Sequence, residues 1–326
     1  MATVTLADLD VDRSQLVEVT LTNLLHLPLV ERAFAEVVTG LPTKDWFLGT
    51  YSPPRDDPRI EDHLEPDQES LQLFRRLRDD YNIQSLSLPT TVAQAFQDAP
   101  LLSKTSMLCL LEISAVLIHS LIAGLYRRLH APASEWDIPP FFHPDYCSVS
   151  KFPDGPADAV GYWAETVIFG GVVLFDRGES EDEWRAAYIH SPKYFRRYQI
   201  FRLSDLQVQQ FFNLASSQLP DRSGDGAGSG NDLSALLPFQ MEADTHMIYA
   251  HDAERLHIFR DKGRLPDFPE HHCVKFNDAE ALSVLYAIKL NQAQRGEDDT
   301  SVSFGELEER IRQARERERD TKERPR

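Results

Sequence analysis

Apolar positions recur with a helical period through much of the first 130 residues. Leu29, Val30, Ala33, Phe34 and Val37 follow spacings of one to four before Gly40, which predicts a helix in the second half of residues 1–40. From Leu41 to Asp67 the period is lost and Pro53-Pro54 and Pro58 appear among aspartates, so this stretch reads as a long surface loop. A helix resumes over 66–81, with Leu71, Phe74 and Leu77 on its apolar side and Arg75, Arg76 and Arg78 on a solvated one. Thr91 and Gln94 have capping-box spacing and open a short helix to about Asp98. The most apolar run follows, a helix from about Ser103 to His130 that ends in Arg127-Arg128, a charge that suits the negative end of its dipole.

The period changes after the prolines that lie between 132 and 153. In 162–178, YWAETVIFGGVVLFDRG, aromatic and β-branched residues dominate, as they do on a pleated, half-buried surface. One strand therefore runs from Trp163 to Phe169, and Gly170-Gly171 either turns it into a hairpin or, as we prefer, bulges one long strand that ends at the turn Asp176-Arg177-Gly178. Further strands are expected over 186–190 and 198–203, and Ser204 with Gln207 forms a second capping box before a helix carrying Leu206, Phe211, Phe212 and Leu214. Residues 245–260 read as a hairpin turning near Asp252-Ala253. Asn277 with Glu280 caps a helix to about Asn291, and Ser303 with Glu306 caps a last one whose mixed charges mark it as solvated and fraying. The predicted class is α+β: a helical N-terminal half around a long central buried helix, and a small mixed or antiparallel sheet in the C-terminal half. Residues 1–300 are expected to form one globular domain with a flexible Gly, Ser and Asp insert at 221–232, and 301–326 the charged helix.

Composition narrows the partners. A net charge of -18 opposes binding to nucleic acid or to an anionic membrane, both of which need clustered cations. The 107–126 run is long enough to cross a bilayer, but Glu112 and His119 fall within it, which favours a buried core helix. Three scattered cysteines, Cys109, Cys147 and Cys273, give neither a disulfide framework nor a zinc ribbon, and no secretory leader opens the sequence, so a reducing, cytoplasmic location is expected.

Candidate chemistry is sparse. His143-Pro144-Asp145 has the His-x-Asp form of a facial triad, in which two imidazoles and a carboxylate hold Fe(II) and leave open positions. If 245–260 is a hairpin, His246 and His257 share a face with Arg255, so either histidine is a candidate third metal ligand and Arg255 a candidate clamp for a 2-oxoglutarate carboxylate. Against this, Pro144 disturbs the strand that would carry the pair, and those histidines equally suit a face toward water. Glu112 and His119 lie two turns apart on one face of the apolar helix, about 10 Å, too far to touch, so each needs a partner elsewhere. They are the candidate catalytic pair if that face lines a pocket. His271-His272-Cys273 offers neighbours that point to opposite strand faces, and Cys147 is most simply a structural thiol. No phosphate loop, dinucleotide fingerprint, serine elbow or HExxH motif is present.

The phrase IFGGVVLFDRGES, 168–180, resembles phrases in uncharacterised proteins of filamentous fungi. It carries no catalytic motif, so the resemblance implies no activity and no site. Two readings of function stand beside each other. One is a non-catalytic protein that binds a protein partner or small molecule, since every constellation above has a plain structural explanation. The other is an Fe(II)/2-oxoglutarate oxygenase using His143, Asp145 and His246 or His257.

Overall fold

The structure, a computed structural model, describes residues 2–47, 60, 62–130, 140, 141, 143, 145, 146, 155–192, 199–217, 233–242, 245–262, 309 and 312. Residues 1–267 form one compact unit and 268–326 a second; every element below belongs to the first.

The chain opens with strand β1 (Thr3–Thr5) and helix α1 (Val11–Leu25), followed by α2 (Pro28–Thr39) and a single turn, α3 (Lys44–Phe47). Helix α1 occupies the first half of 1–40, where no helix was expected; Val17, Leu21 and Leu24 form its buried stripe at spacings of four and three. Helix α2 starts on Pro28 and stops at Gly40 in the left-handed region, the residues a helix end prefers. The 41–67 stretch is not all surface, since α3 lies in it and Thr43 and Ile60 are buried. Helix α4 (Gln68–Asp79) is capped by Asp67, whose carboxylate accepts from the Ser70 amide. Strand β2 (Ser87–Pro89) pairs antiparallel with β1 and leads into α5 (Thr90–Asp98). The expected Thr91 capping box does not form: the helix begins two residues earlier than that cap would place it, at Thr90, and the Gln94 amide instead donates to Asp98 at 2.8 Å.

Helix α6 (Lys104–Leu129) is the expected central helix, capped by Ser103 and packed against α1, α2, α5 and two later helices. It is long and apolar enough to cross a membrane, yet 78% of its most apolar window is buried against protein. Helix α7 (Pro156–Phe169) lies along it, and this is the main departure from the predicted pattern. Residues 163–169, expected as a strand, are its last two turns. Every α7 residue except Val167 is buried, so burial on all sides offsets the weak helix preference of its aromatic and β-branched residues. Gly170 is neither bulge nor hairpin. It ends α7 in the left-handed conformation, at φ 90°, with its N–H donating to the Thr166 carbonyl.

From there β3 (Val172–Asp176) pairs antiparallel with β4 (Ala186–His190), and β4 with β5 (Gln199–Arg202). Helix α8 (Asp205–Ala215) opens with the expected Ser204–Gln207 capping box, and a turn, α9 (Leu233–Leu236), follows. Strands β6 (Met247–Tyr249) and β7 (Ile258–Phe259) complete a five-stranded antiparallel sheet in the order β6-β5-β4-β3-β7. They are not the two arms of a hairpin. β6 pairs with β5 and β7 with β3, so they occupy opposite edges of the sheet. Asp252 and Ala253 make a poor tight turn, and each short strand instead satisfies its backbone on an edge already formed. The fold is α+β, with a helical N-terminal half and the sheet in the C-terminal half. The insert at 221–232 and the predicted helices from 278 and 303 lie outside the described residues, although Glu309 and Arg312 pair at 2.7 Å.

Candidate functional site

The core between α6, α7 and β7 holds charge. Asp158, Tyr162 and Glu165 follow spacings of four and three, one stripe of α7 turned toward α6. The His119 ring lies across that stripe. Its Nδ1 is 2.8 Å from Glu165 Oε1 and its Nε2 2.9 Å from Asp158 Oδ1, with Tyr162 edge-on at 4.6 Å between ring centres. The close approach depends on Gly161, where a Cβ would meet the imidazole at 2.6 Å. Just beyond β7, Arg260 grips Glu165 with both terminal nitrogens, at 2.6 and 2.8 Å.

Burial alone pushes the Glu165 carboxyl up; Arg260 and His119 together more than offset it and hold it below its ordinary value. Burial works against the Arg260 charge as well, and the Glu165 carboxylate outweighs it, so the guanidinium is held more firmly protonated than usual. Seven residues before His119, Glu112 takes Arg177 and the Trp184 indole N–H, each at 2.5 Å. Arg177 also donates to the Phe259 and Arg260 carbonyls, at 3.1 and 3.0 Å. Glu112 and His119, the candidate catalytic pair, are thus both engaged by core partners and buried.

A second polar cluster adjoins the first through Tyr146, whose ring is tilted on Tyr162 at 4.7 Å. It contains His143, Asp145 and His190, all buried. His190 Nδ1 is 3.1 Å from the Tyr146 hydroxyl, which burial makes a much weaker acid than usual. Asp145 Oδ2 lies 4.0 Å from His143 Nδ1 and 3.8 Å from His190 Nε2. Ligand atoms around a metal at about 2.1 Å stand about 3 to 3.5 Å apart. The His143 Nδ1 lone pair, moreover, already accepts the Asp145 backbone N–H at 3.1 Å. Among the described residues no group of three such side chains has metal-holding geometry.

The histidine beside His143 and Asp145 is therefore His190, not His246 or His257. His257 adjoins the Asp176–Ala186 end of the sheet, four residues along β4 from His190, or about 14 Å at about 3.4 Å per residue. There it faces Glu181 at 3.1 Å. His246 is exposed beyond β5, its carbonyl accepting from Arg202, and Arg255 is bound to Asp252 at 3.0 Å in solvent. No local signal marks His190: it ends an expected strand and acquires its neighbours only through the fold. The Cys109 thiol is buried, which pushes its pKa up, while Cys147, His271, His272 and Cys273 lie outside the described residues.

A different region has open space. Between the end of α1, α2, α4 and the last turns of α6 lies a cavity of about 320 Å³. Leu25, Phe34, Phe74, Leu121 and Leu125 supply apolar wall, and Phe34 stacks on Phe74 at 4.5 Å. Gly124 contributes no side chain, and a Cβ built there meets nothing within 4 Å. Arg78, Asp80, Tyr81 and Arg128 bring the polar groups. Arg78 is not the solvated arginine its helix face suggested, for it is mostly buried and bonded to Glu31 at 2.6 Å. Arg75 reaches the same carboxylate at 2.7 Å. Burial raises the Glu31 carboxyl, and the two arginines together outweigh that and hold it below its ordinary value. Arg128, one helical turn beyond Gly124, has no ion-pair or hydrogen-bond partner for its guanidinium among the described residues.

Scanned against protein-family models, the curated proteins and the solved structures, the chain finds no match.

Proposed function

We propose that this protein is a non-catalytic cytoplasmic binder of a small apolar ligand, held in the cavity between α1, α2, α4 and α6. The observation that carries the reading is the cavity: about 320 Å³ with a mainly apolar wall and an unfilled position at Gly124. That volume lies at the lower end of the range for small-molecule sites, which are concave, mostly apolar and furnished with a few placed polar groups. The buried acids, histidines and arginines elsewhere support the same reading. They are joined to one another inside the core, where charge in water-poor surroundings is tolerable only when paired and hydrogen-bonded. Such pairs stiffen the wall formed by α6 and leave the cavity to accept a ligand.

The test uses the neutral fluorophore N-phenyl-1-naphthylamine, which brightens when it leaves water. The parent protein should bind it saturably, and Gly124→Leu should abolish binding. The same substitution should leave the fold intact or raise its stability, since leucine favours a helix interior over glycine by up to about 1 kcal/mol. Binding by the parent that Gly124→Leu does not weaken, or no binding at all, sinks the proposal.

A further inference from the structure

We propose that the occupant of this cavity is a singly charged anionic amphiphile, its apolar body against Phe34, Phe74 and Leu121 and its acidic head on Arg128. The proposal rests on the ligand-binding reading above and adds the chemistry of the head. Leu121, Gly124, Leu125 and Arg128 follow one another on a single stripe of α6, so an elongated molecule laid along it meets leucine, open space and then a guanidinium.

The two arginines of the cavity differ in what they can still bind. Arg78 is committed to Glu31 at 2.6 Å, with Asp79 at 3.0 Å, and has little left for a ligand. Arg128 has no such partner among the described residues, and a guanidinium fork matches a carboxylate or sulfonate in geometry as well as charge. Tyr81 lines the same cavity, and burial raises its hydroxyl pKa, so at neutral pH it stays protonated and can donate. Asp80 is the opposing charge. It repels a second acidic group on the ligand, which favours one charge over two. The cavity volume equals that of about eleven waters at about 30 Å³ each, a space for a medium-length chain or a small ring system.

Decanoate and decanol share the same chain and differ in the head, so they separate the two levels of the proposal. Each is titrated against bound N-phenyl-1-naphthylamine on the parent, on Arg128→Gln and on Gly124→Leu. Arg128→Gln should weaken displacement by decanoate about tenfold or more, the usual worth of a charge-assisted bond, and leave decanol unchanged. Equal displacement curves for decanoate on parent and Arg128→Gln overturn the anionic head and leave the cavity reading in place. If the parent fails to bind the fluorophore, or Gly124→Leu binds it as the parent does, the cavity reading falls and the head assignment with it.

Discussion

Glu165 is engaged in the core by Arg260, His119 and the Val173 backbone, and replacing it with glutamine isolates the value of its charge. The side chain is fully buried and receives Arg260 twice, at 2.6 and 2.8 Å, and His119 at 2.8 Å. The Val173 backbone N–H also points at it, from 3.4 Å. Glutamine keeps the shape and one acceptor, but leaves the Arg260 guanidinium, whose side chain is only 8% exposed, without a counter-charge. Breaking a buried pair from one side costs about 3 to 5 kcal/mol, because the partner's desolvation is no longer offset. The remaining amide acceptor favours the low end, so Glu165→Gln should cost about 3 kcal/mol. With a urea slope of about 3 kcal/mol/M the unfolding midpoint falls by about 1 M at unchanged slope. Tryptophan fluorescence reports it, since Trp163 lies on the same helix. Arg260→Met and the double variant complete a cycle in which the double should cost less than the sum by about 1 to 3 kcal/mol. An unshifted Glu165→Gln midpoint, or strictly additive costs, would refute the view that this pair braces the core.

The same pair sets an acid limit. Glu165 is held below its ordinary value of 4.5 in the folded protein, so its contribution is complete above that pH and is lost as pH falls through the folded value. Measured by urea unfolding, the stability gap between parent and Glu165→Gln should narrow steadily below about pH 4.5, and a gap that stays constant down to pH 3 would contradict the assignment. Glu36, whose carboxyl is raised by burial, has the opposite sign, but it is common to both proteins and cancels in the comparison. Two glycine-to-alanine changes, both inside helices, should differ in sign. Gly161→Ala forces a Cβ to 2.6 Å from an imidazole fixed at both nitrogens and should destabilise by about 1 to 3 kcal/mol, whereas Gly124→Ala enters open space and should stabilise by about 0.5 to 1 kcal/mol. Thermal unfolding of both variants checks this; matching shifts would mean that α7 does not press on His119.

Where the sequence was legible, a local signal was strong. The Ser103 and Ser204 caps, the apolar period of α6 and the strands at 186–190 and 199–202 are all present. Helix α7 is not legible from side-chain type: Pro156 and Gly170 bracket it as a first residue and a left-handed cap, while its valines, isoleucine and aromatics suit a strand equally well. The need of Glu112 and His119 for partners was legible from burial. Their identities were not, because Asp158 and Glu165 lie 39 and 46 residues from His119, and Arg177 lies 65 from Glu112. The cavity was equally hidden, since Gly124 looks like an ordinary weak point in a helix until Phe34 and Phe74 arrive from other elements. The His-x-Asp pair is visible in the sequence, but the histidine beside it comes from β4, and the hairpin that would carry His246 and His257 does not form.

Strand β7 is only two residues long, yet the arginine that follows it supplies the counter-charge for an acid on a helix made far earlier. Synthesis runs from the N-terminus, so α6 and α7 leave the ribosome carrying acids and an imidazole meant for a dry interior, and the arginine that pairs with Glu165 comes 95 residues after it. Until residue 260 exists, Glu165 lacks the guanidinium that pairs with it in the folded protein. Helix α7 is made early, and the charge it buries is matched late.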